Sequence, residues 1–574
     1  MNQDTNTLSK LIRKNCDKYG NLPAIEGEMN VISYHNLGEK VDYLSDFFSS
    51  RGVTKNQVVG IMLSRNIDLI PSMLAIWANG AAFYPLDPSY PLTRLQQYTE
   101  QANPSFIIAD TENKAKAQSL CKNIIELDGQ CKVEHKKIVG VDKSESKNLA
   151  YILFTSGSTG KPKGVKITHS ALENFMFSVS KKFNFTSSDV MLAHSTICFD
   201  VSFLELFYPL YAGGKTIVSS DSQTKSISEM IKVLDKATFF HATPSYLQIL
   251  LANGWKPNNL FTVLSGAEAI NLPLVKKLSS AKDIWNLYGP TECTVYCSVH
   301  KININDNFIP IGKPLNGLSY HIFDADMNES DIGELYVSGD CLSIGYCESQ
   351  ADIGKFIFHE GLNRIIYKTG DFVKVINNEH IEWQGRSESE IKIRGNRIAP
   401  KEVQVVLDTI NSVTQSCVTI ANFNGTGHDA LTAYLIADNY ITKEEIEACL
   451  SNLLPDYMIP EYYVVLTEFP LMPNGKINKQ ELPNPNRDNI LSNQSQNNLN
   501  IQDACFETTQ IICDVLGDVT NISPFHEQDN YWELGLNSLS IFIAASKLTK
   551  LLNRKVTGKM IRNSNTAIEL STKI

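Results

Sequence analysis

The sequence reads Thr155-Ser-Gly-Ser-Thr-Gly-Lys-Pro-Lys-Gly164 directly after the apolar run Tyr151-Ile-Leu-Phe154. Gly157 and Gly160 allow the backbone to approach an anion closely, the hydroxyls and amides donate hydrogen bonds, and two lysines add positive charge. The stretch is not a Walker A loop, because that pattern needs a glycine where Thr155 stands and does not place a proline after its lysine. A polar turn of this kind is commonly only a solvated loop. It indicates a phosphate site only if other segments of the chain support that interpretation.

Length and composition favour a large globular protein. The chain has 574 residues, of which 43% are hydrophobic and 20% charged, so several domains with their own cores are expected. A net charge of -10 argues against a protein that wraps nucleic acid, since such proteins present a basic face. No apolar run approaches the roughly 20 residues that cross a bilayer, and the N-terminus lacks the apolar stretch of a signal peptide. We therefore expect a cytoplasmic monomer that binds neither membrane nor nucleic acid, with its 12 cysteines reduced and mostly buried.

The pattern of predicted strands and helices changes along the chain. Up to about residue 385, strand-like runs (58–63, 105–109, 260–264) alternate with helical patterns such as 67–77, which predicts α/β layers with parallel sheets in more than one subdomain. Short, charged elements then predict a small α+β region, in which Gly425-Thr-Gly-His-Asp-Ala430 is interpreted as a hairpin turn. An Asn-, Pro- and Ser-rich stretch predicts a linker before a helical tail. The expected boundaries are 1–385, 386–485, 486–502 and 503–574.

Seven segments, in chain order, fit one family. They are Gly80-Ala-Ala-Phe-Tyr-Pro-Leu-Asp-Pro88, the phosphate loop, Phe199-Asp-Val-Ser-Phe203, Asn286-Leu-Tyr-Gly-Pro-Thr-Glu292, Tyr367-Lys-Thr-Gly-Asp371, Gly385-Arg-Ser-Glu-Ser-Glu-Ile-Lys-Ile-Arg-Gly395 and Pro473-Asn-Gly-Lys-Ile477. From about residue 10 to 485 the chain resembles the adenylation domains of nonribosomal peptide synthetases, a branch of the adenylate-forming enzymes. Any one segment could be a coincidence, but their order and spacing make the resemblance specific.

The resemblance implies an ATP site. In this family a carboxylate attacks the α-phosphate of ATP, which gives an acyl adenylate and pyrophosphate, so the site must hold two anions in line. The residues implied are Thr155, Ser156, Gly157, Ser158, Thr159, Gly160 and Lys163 at the pyrophosphate, Asn286 and Tyr288 at the adenine, Thr291 at the α-phosphate, Glu292 at Mg²⁺, and Asp371 and Arg386 at the ribose. One carboxylate suits Mg²⁺, which keeps most of its waters. Without the resemblance, Tyr288 would be read as core packing and Asp371 as a turn cap.

The resemblance also implies a moving subdomain. Lys476 would be its mobile catalytic lysine, acting with Thr291 and Glu292, although a lone surface lysine is normally inert. The hinge would lie at Glu388, where the family normally has Asp. After rotation, Lys392, Arg394 and Gly395 would face a channel for a thiol, with glycine at 395 so that a narrow arm can pass.

The tail contains Asp529-Asn-Tyr-Trp-Glu-Leu-Gly-Leu-Asn-Ser-Leu539, which resembles the modification site of peptidyl carrier domains. A serine that opens a helix is most often only an N-cap. The resemblance instead implies a four-helix, all-α carrier domain with 4'-phosphopantetheine on Ser538, attached by a phosphopantetheinyl transferase. The chain departs from the family at Asn537, where Asp is usual, and at Leu536, where Gly is common.

The resemblance places an amino-acid pocket around Asp200, whose carboxylate would pair with the substrate's α-ammonium. The other pocket positions are Val201, Leu204, His241, Val263, Ser265, Leu287, Val295 and Tyr296. This set resembles the serine-activating pattern in part, because His241 and Ser265 could bind a side-chain hydroxyl, but it departs at Leu204 and Tyr296. Two alternatives stay open: another small or hydroxylated amino acid as substrate, and His241 as a satisfied core histidine.

We therefore expect an enzyme that activates an α-amino acid with ATP and loads it onto its own carrier domain, for nonribosomal peptide or related secondary-metabolite biosynthesis. The alternatives are an acyl- or aryl-CoA ligase of the same superfamily, which Asp200 opposes, and a catalytically silent carrier or scaffold, which Lys476, Asp371 and Glu292 oppose. No condensation, epimerisation or thioesterase segment is recognised, so we expect a downstream condensing or tailoring enzyme as a partner.

Overall fold

The computed structural model describes residues 7–128, 142–157, 161–377, 380–386, 391–423, 429–437, 441–470, 477–486, 489–491, 506–520, 524–531, 534, 536, 538–552, 554–562 and 564–574. The chain divides into two compact units. The first comprises Met1–Ser156, Lys161–Pro244 and Lys256–Glu388, and the second comprises Gly157–Gly160, Ser245–Trp255 and Ser389–Ile574. The division does not separate the small α+β region from the helical tail, so that boundary stays a prediction.

The helices and strands up to residue 386 are α1 (Leu8–Tyr19), β1 (Pro23–Glu26), β2 (Val31–Ser33), α2 (Tyr34–Ser50), β3 (Val58–Met62), α3 (Leu69–Ala78), β4 (Ala82–Pro85), α4 (Leu92–Ala102), β5 (Phe106–Asp110), α5 (Lys114–Gln118), β6 (Ile124–Leu127), β7 (Leu149–Thr155), β8 (Lys163–Thr168), α6 (His169–Ser180), β9 (Val190–Ala193), α7 (Val201–Ala212), β10 (Lys215–Val218), α8 (Asp221–Thr224), α9 (Ile227–Leu234), β11 (Phe239–Ala242), α10 (Pro244–Ala252), β12 (Thr262–Gly266), α11 (Leu272–Lys277), β13 (Asp283–Tyr288), β14 (Ser298–Lys301), β15 (Lys313–Pro314), β16 (Leu318–Phe323), β17 (Ile332–Gly339), β18 (Phe356–His359), β19 (Arg364–Ile376) and β20 (His380–Arg386). Beyond them lie β21 (Ile391–Ile393), β22 (Asn396–Ile398), α12 (Pro400–Leu407), β23 (Val413–Asn422), β24 (Asp429–Ala437), α13 (Lys443–Ser451), β25 (Tyr462–Val465), α14 (Phe506–Thr520), α15 (Ser538–Leu552), α16 (Gly558–Arg562) and α17 (Ala567–Lys573).

Three sheets build the first unit. A six-stranded sheet has the order β6-β5-β3-β4-β7-β8, a nine-stranded sheet the order β15-β14-β13-β12-β11-β9-β10-β1-β2, and β16 to β20 form a third. The inner strands of the first two sheets run parallel, whereas the third sheet is antiparallel. Strands covered on both faces read as continuous apolar runs, and every residue of β12 is buried. The expected α/β architecture is confirmed.

The core of the first unit centres on Trp77 of α3. All residues of this helix are buried, so it is covered on every side. The Trp77 ring packs against Phe83 of β4 and Phe207 of α7, with centroid distances of 5.3 and 4.9 Å, and its indole N–H donates to the carbonyl of Ala150, 2.8 Å away. Trp77 therefore connects the six-stranded sheet to α7.

Among the described residues, the two largest hydrophobic clusters of the second unit are separate from each other. One lies among β21 to β25, α12 and α13. Here β23 and β24 pair antiparallel, from Val413 opposite Ala437 to Asn422 opposite Asp429. The predicted turn at 425–430 falls largely outside the described residues. The other cluster is shared by α14, α15, α16 and α17, where the Tyr531 hydroxyl donates to the carbonyl of Ile561, 2.8 Å away. The helical periodicity of the tail is thus confirmed, while its identity as a carrier domain stays a prediction.

Two further properties concern the whole described chain. No helix among the described residues combines the length and apolar character needed to cross a bilayer. The described cysteines are free thiols and most are buried, as the scattered pattern predicted.

His169, the first residue of α6, is buried without hydrogen bonds to its ring. The ring meets Trp77 edge-on at 5.5 Å, and neither ring nitrogen has a partner in the described part of the chain. Burial, with a smaller contribution from Lys10, lowers the pKa of His169 to about 3. The imidazole of His169 is therefore neutral in the folded protein. In the unfolded chain the same imidazole takes up a proton once the pH falls below the ordinary pKa of histidine.

Acid should consequently destabilise the protein through His169. The contribution of His169 to the free energy of unfolding is complete above its pKa in the unfolded chain, about 6.5. As the pH falls from there toward its pKa in the folded protein, the free energy of unfolding decreases by about 1.4 kcal/mol per pH unit. We expect His169→Phe, which keeps a ring against Trp77, to escape this loss, so that wild type loses about 2 kcal/mol relative to the variant between pH 7 and 5. Urea unfolding at both pH values measures it. The exposed control His35→Gln should parallel wild type, and parallel behaviour of His169→Phe would contradict the prediction.

Candidate functional site

The phosphate loop connects two paired strands. Thr155 ends β7 and faces Lys163, which begins β8. The Thr155 hydroxyl is buried and has no hydrogen-bond partner among the described residues, so it is available to a ligand. Gly157, which is grouped with the second unit, donates its amide to the Glu402 carboxylate of that unit, 3.2 Å away. Ser158, Thr159 and Gly160 lie outside the described residues, and Ser156 is buried.

Asp371 of β19 lies in a cluster with two aromatic donors. The Tyr288 hydroxyl, at the end of β13, donates to Asp371 Oδ2 at 2.6 Å, and the Trp383 indole N–H donates to Oδ1 at 3.0 Å. Burial, and then Asp371, raise the pKa of Tyr288, so the phenol keeps its proton and donates. Arg386 faces Asp371 across the strand pair and donates to the carbonyl of Thr369. Tyr288, which was predicted at the adenine, therefore lies together with Asp371 and Arg386, which were predicted at the ribose.

Asn286 and Thr291 flank this cluster. Asn286 donates its side-chain amide to the carbonyl of Pro310 at 2.8 Å, which holds β13 in place. Thr291 begins a one-turn 3₁₀ helix that ends at Cys293. The adenine role of Asn286 and the α-phosphate role of Thr291 stay predictions.

Glu292 lies in that 3₁₀ turn and is fully buried. Its Oε1 accepts a hydrogen bond from the Tyr346 hydroxyl at 2.6 Å. The ammonium of Lys163 lies 5.4 Å from the Tyr346 ring centroid, within cation–π range. Tyr346, which the sequence did not single out, therefore connects the predicted Mg²⁺ ligand to the phosphate loop.

The donor set around Glu292 can be compared with the needs of Mg²⁺. Among the described residues no group of three or more His, Cys, Asp or Glu side chains lies together. Mg²⁺ in nucleotide enzymes commonly takes one or two carboxylates, with phosphate oxygens and water as its other ligands. A single oriented carboxylate beside a phosphate loop therefore fits this ion.

The predicted pocket residues lie at one edge of the nine-stranded sheet. His241, Ser265 and Leu287 stand at the carboxyl ends of the neighbouring parallel strands β11, β12 and β13. Ligands of open α/β sheets bind at this edge. Ser265 is fully buried, and its hydroxyl has no hydrogen-bond partner in the described chain. The remaining pocket positions follow on these or adjoining elements: Asp200 at the start of α7, Val201 and Leu204 within it, Val263 on β12, and Val295 and Tyr296 before β14.

Glu205 of α7, which the sequence analysis missed, is the centre of a buried polar network. Its Oε2 accepts the amides of His194 and Ser195, both at 2.9 Å, and its Oε1 accepts the Ser195 hydroxyl at 2.6 Å. Burial alone would raise the pKa of Glu205, but His194, His241 and Ser195 outweigh it and lower the pKa to about 2. A charged residue inside the apolar run Phe203-Leu-Glu-Leu-Phe207 was the available signal, since a fully buried carboxylate requires partners.

His241 belongs to this network. Its Nδ1 lies 3.3 Å from Glu205 Oε1, and its Nε2 lies 2.8 Å from the Tyr296 hydroxyl. Both ring nitrogens therefore have protein partners, as the alternative of a satisfied core histidine supposes. A direct bond from His241 to a substrate hydroxyl would have to displace Tyr296.

The remaining predictions concern residues 388 to 538. Arg394 and Gly395 have φ values of 49° and 79° and join β21 to β22, so glycine at 395 is explained by the turn itself. Arg394 pairs with Glu461, and Lys392 faces Arg397 across the hairpin. Their thiol-channel role stays a prediction. Ser538 is the first residue of α15, whereas Glu388, Lys476 and Asn537 lie outside the described residues.

The chain matches the family described as AMP-binding enzyme over residues 12–347. It belongs to that family. It is 29% identical to bacitracin synthase 3 of Bacillus licheniformis over 98% of its own length, but it spans only 9% of that relative. The large α/β adenylate-forming core is thereby confirmed as its fold class.

Solved structures agree with this AMP-binding fold. A four-domain nonribosomal peptide synthetase bound to AMP and glycine is 28% identical, with a TM-score of 0.62 over 99% of this chain and 42% of that one. A protein of adenylation and carrier domains bound to a vinylsulfonamide inhibitor has a TM-score of 0.77 over 98% of both chains; at 18% identity this likeness concerns the fold alone. The resemblance to adenylation domains of such synthetases is therefore confirmed. The presence of a functional carrier domain stays a prediction.

Trp383 should position Asp371 for a nucleotide ribose in this AMP-binding enzyme. Trp383→Phe removes the indole N–H but keeps an aromatic side chain, and because Trp383 is 40% exposed the effect should be moderate. We expect the Kd for AMP to rise about three- to tenfold, the loss of one hydrogen bond. Isothermal titration measures it. Binding of 2′,3′-dideoxy-AMP, which has no ribose hydroxyls for Asp371, should stay unchanged, and equal losses for both nucleotides would show a merely structural role.

Proposed function

We propose that this chain activates an α-amino acid. With ATP and Mg²⁺ it forms the aminoacyl adenylate and releases pyrophosphate. The thiol of 4'-phosphopantetheine on Ser538 then takes the aminoacyl group as a thioester, and AMP leaves. The observation that carries the proposal is that Asp200, just before α7, lies close enough to Tyr296 to act on it electrostatically, in the same unit as the Tyr288–Asp371 pair. A carboxylate among the predicted pocket residues can anchor an ammonium group, and the Tyr288–Asp371 pair can hold a nucleoside.

The described residues can divide the work of the adenylation step. Asp371, oriented by Tyr288 and Trp383, accepts hydrogen bonds from the ribose hydroxyls. The Thr155 hydroxyl and the Lys163 ammonium bind the departing pyrophosphate, where positive charge lowers the barrier to its release. Glu292 would hold Mg²⁺, which supplies charge neutralisation at the phosphates. Asp200 fixes the ammonium, so that the substrate carboxylate is held at the α-phosphate rather than diffusing to it.

The transfer step rests on the tail. Ser538 begins the 15-residue helix α15, and Leu536, just before it, is 2% exposed within the four-helix cluster. A serine at a helix start beside a buried anchor fits an attachment site whose prosthetic arm must reach outward. 4'-Phosphopantetheine would supply the acceptor thiol. A tether on the same chain raises the acceptor's effective concentration to the millimolar range for a short linker.

Exchange of labelled pyrophosphate into ATP, measured with a panel of α-amino acids, tests the proposal. We expect exchange that depends on one small or hydroxylated amino acid, serine being the first candidate. Exchange supported by aryl or fatty acids, with thioester formation on free CoA, would show the CoA-ligase alternative instead. If no acid supports exchange of pyrophosphate into ATP, the alternative of a catalytically silent carrier or scaffold protein is favoured.

Lys476→Ala should abolish adenylate formation. Removing one charge-stabilising contact costs on the order of 100-fold or more in rate, and we expect at least this loss in amino-acid-dependent exchange. The fold and the modification of Ser538 should be unaffected, as circular dichroism and intact mass will show. Lys479→Ala, a nearby lysine of the 3₁₀ turn Lys479–Glu481, is the matched control and should retain exchange. Near-normal exchange by Lys476→Ala would remove the role assigned to it.

Ser538→Ala should separate the two half-reactions. Exchange should persist, because the adenylation site is intact, while covalent loading of the amino acid disappears. Intact-protein mass spectrometry after treatment with a phosphopantetheinyl transferase, CoA, ATP and the amino acid measures this. Ser546→Ala, on the same helix α15, should still be loaded. An acylated Ser538→Ala protein would point to another acceptor.

A further inference from the structure

Residues 341–347, here called the bridging segment, lie between the 3₁₀ turn that carries Glu292 and the strand that follows the phosphate loop. On the side of the turn, the Thr294 hydroxyl donates to the carbonyl of Cys341 at 2.6 Å. The amide of Ser343 donates to the carbonyl of Glu292 at 2.8 Å. The bridging segment is therefore hydrogen-bonded to the backbone of the predicted Mg²⁺ ligand itself.

The other side of the bridging segment runs antiparallel beside β8, which follows the phosphate loop. The amide of Ile344 donates to the carbonyl of Lys166, and the amide of Lys166 donates to the carbonyl of Gly345, both at 3.0 Å. The amide of Cys347 donates to the carbonyl of Gly164 at 2.8 Å. One short piece of chain thus joins the 3₁₀ turn to the end of the phosphate loop.

Tyr346 is the residue of the bridging segment whose side chain contacts both of these sites. Its hydroxyl donates to Glu292 Oε1 at 2.6 Å, and the two residues are 1% and 0% exposed. Its ring centroid lies 5.4 Å from the ammonium of Lys163, the first residue of β8. Hydrogen bonds to an ionised acceptor are stronger than those between neutral groups. The phenol therefore fixes the direction of a carboxylate on an otherwise flexible side chain.

The position of Tyr346 is itself determined by its neighbours. Its amide donates to Asp352 Oδ1 at 2.7 Å, and its ring meets that of Phe356 edge-on at 5.7 Å. Gly345, just before it, has a φ value of 98°, and a Cβ there would lie 2.7 Å from the same Asp352 oxygen. The protein thus holds the phenol in place through backbone and ring contacts that do not involve Glu292.

We propose that Tyr346 is a positioning residue that fixes the Glu292 carboxylate for Mg²⁺ and holds it in register with Lys163 and the phosphate loop. This inference rests on the proposed function and deepens it, because it names the residue that couples the metal site to the pyrophosphate site. Charge stabilisation of a departing pyrophosphate depends on contacts that are held in advance. A Glu292 carboxylate that turns away should weaken metal binding without changing the nucleoside site.

Titration with Mn²⁺ as the probe tests the proposal independently of turnover. Tyr346→Phe keeps the ring against Phe356 and Lys163 and removes only the hydroxyl. Its Kd for the Mn²⁺ complex of α,β-methylene-ATP, measured by electron paramagnetic resonance, should rise about tenfold, the loss of one hydrogen bond to a charged group. The Mg²⁺ concentration for half-maximal pyrophosphate exchange should rise by a similar factor. The Kd for AMP, measured by isothermal titration without divalent metal, should stay unchanged.

Matched variants separate positioning from packing. Tyr208→Phe removes a hydroxyl on a residue that is also 1% exposed and donates to the carbonyl of Phe183, and it should bind the Mn²⁺ complex as wild type does. Asp352→Ala should raise the Kd for the complex by a smaller factor than Tyr346→Phe. Asp352→Asn, which keeps an acceptor oxygen for the Tyr346 amide, should restore wild-type binding.

The cation–π contact is tested by a second change at the same position. Tyr346→Leu also removes the ring, so at saturating Mg²⁺ its KM for pyrophosphate should exceed that of Tyr346→Phe about two- to fivefold. Unchanged binding of the Mn²⁺ complex by Tyr346→Phe, or an equal loss of AMP affinity, overturns this inference while the proposed function stands. If wild type binds the complex but no amino acid supports exchange, the proposed function fails, and the Mn²⁺ titration still decides the role of Tyr346. If wild type does not bind the complex, both fail.

Discussion

The parallel alignment of β11, β12 and β13 determines where the predicted pocket residues of the first unit lie. Parallel strands end at the same edge, so His241, Ser265 and Leu287 are placed side by side although they are distant in sequence. Asp200, just before α7, is close enough to Tyr296 to act on it electrostatically. The three strands are buried along almost their whole length, so the packing of the core places these side chains.

Two buried carboxylates of the first unit are each held by several hydrogen-bond donors. Asp371 receives a phenol and an indole N–H, and Glu205 receives amides, a hydroxyl and an imidazole. A buried charge without partners would be too costly to keep, whereas hydrogen bonds from neutral groups retain the charge and fix its direction. A cation also lies near each carboxylate: Arg386 Nε is 3.9 Å from Asp371 Oδ1, and Arg65 acts on Glu205 electrostatically. The hydrogen bonds fix the direction of each carboxylate, and the nearby cation offsets part of the cost of burying its charge.

The sequence predicted the regular elements, and three of the residues predicted for the nucleotide, Tyr288, Asp371 and Arg386, lie together. The pattern at 67–77 became α3 at Leu69–Ala78, and the runs at 58–63 and 260–264 became β3 and β12 with shifts of one or two residues, because periodicity locates an element better than its ends. Trp383 could not be found this way. Its approach to Asp371 depends on an irregular register between β19 and β20, at Phe372 and Val373. Tyr346 reaches Glu292 across 54 residues, a contact that only tertiary packing creates.

The turn between Glu292 and Tyr296 joins a predicted Mg²⁺ ligand to a predicted pocket residue through one piece of backbone. Thr294 and Val295 have φ values of 60° and 67°, a region that β-branched residues rarely occupy and that costs on the order of 1–3 kcal/mol for each residue. The Thr294 hydroxyl holds this conformation by donating to the carbonyl of Cys341 at 2.6 Å. A Cβ at Gly289 would lie 2.6 Å from the Tyr296 Cα, so the backbones pack in direct contact. A relaxed turn would move Glu292 away from Tyr346 or Tyr296 away from His241. The strain is therefore the cost of holding both contacts with only three residues between them.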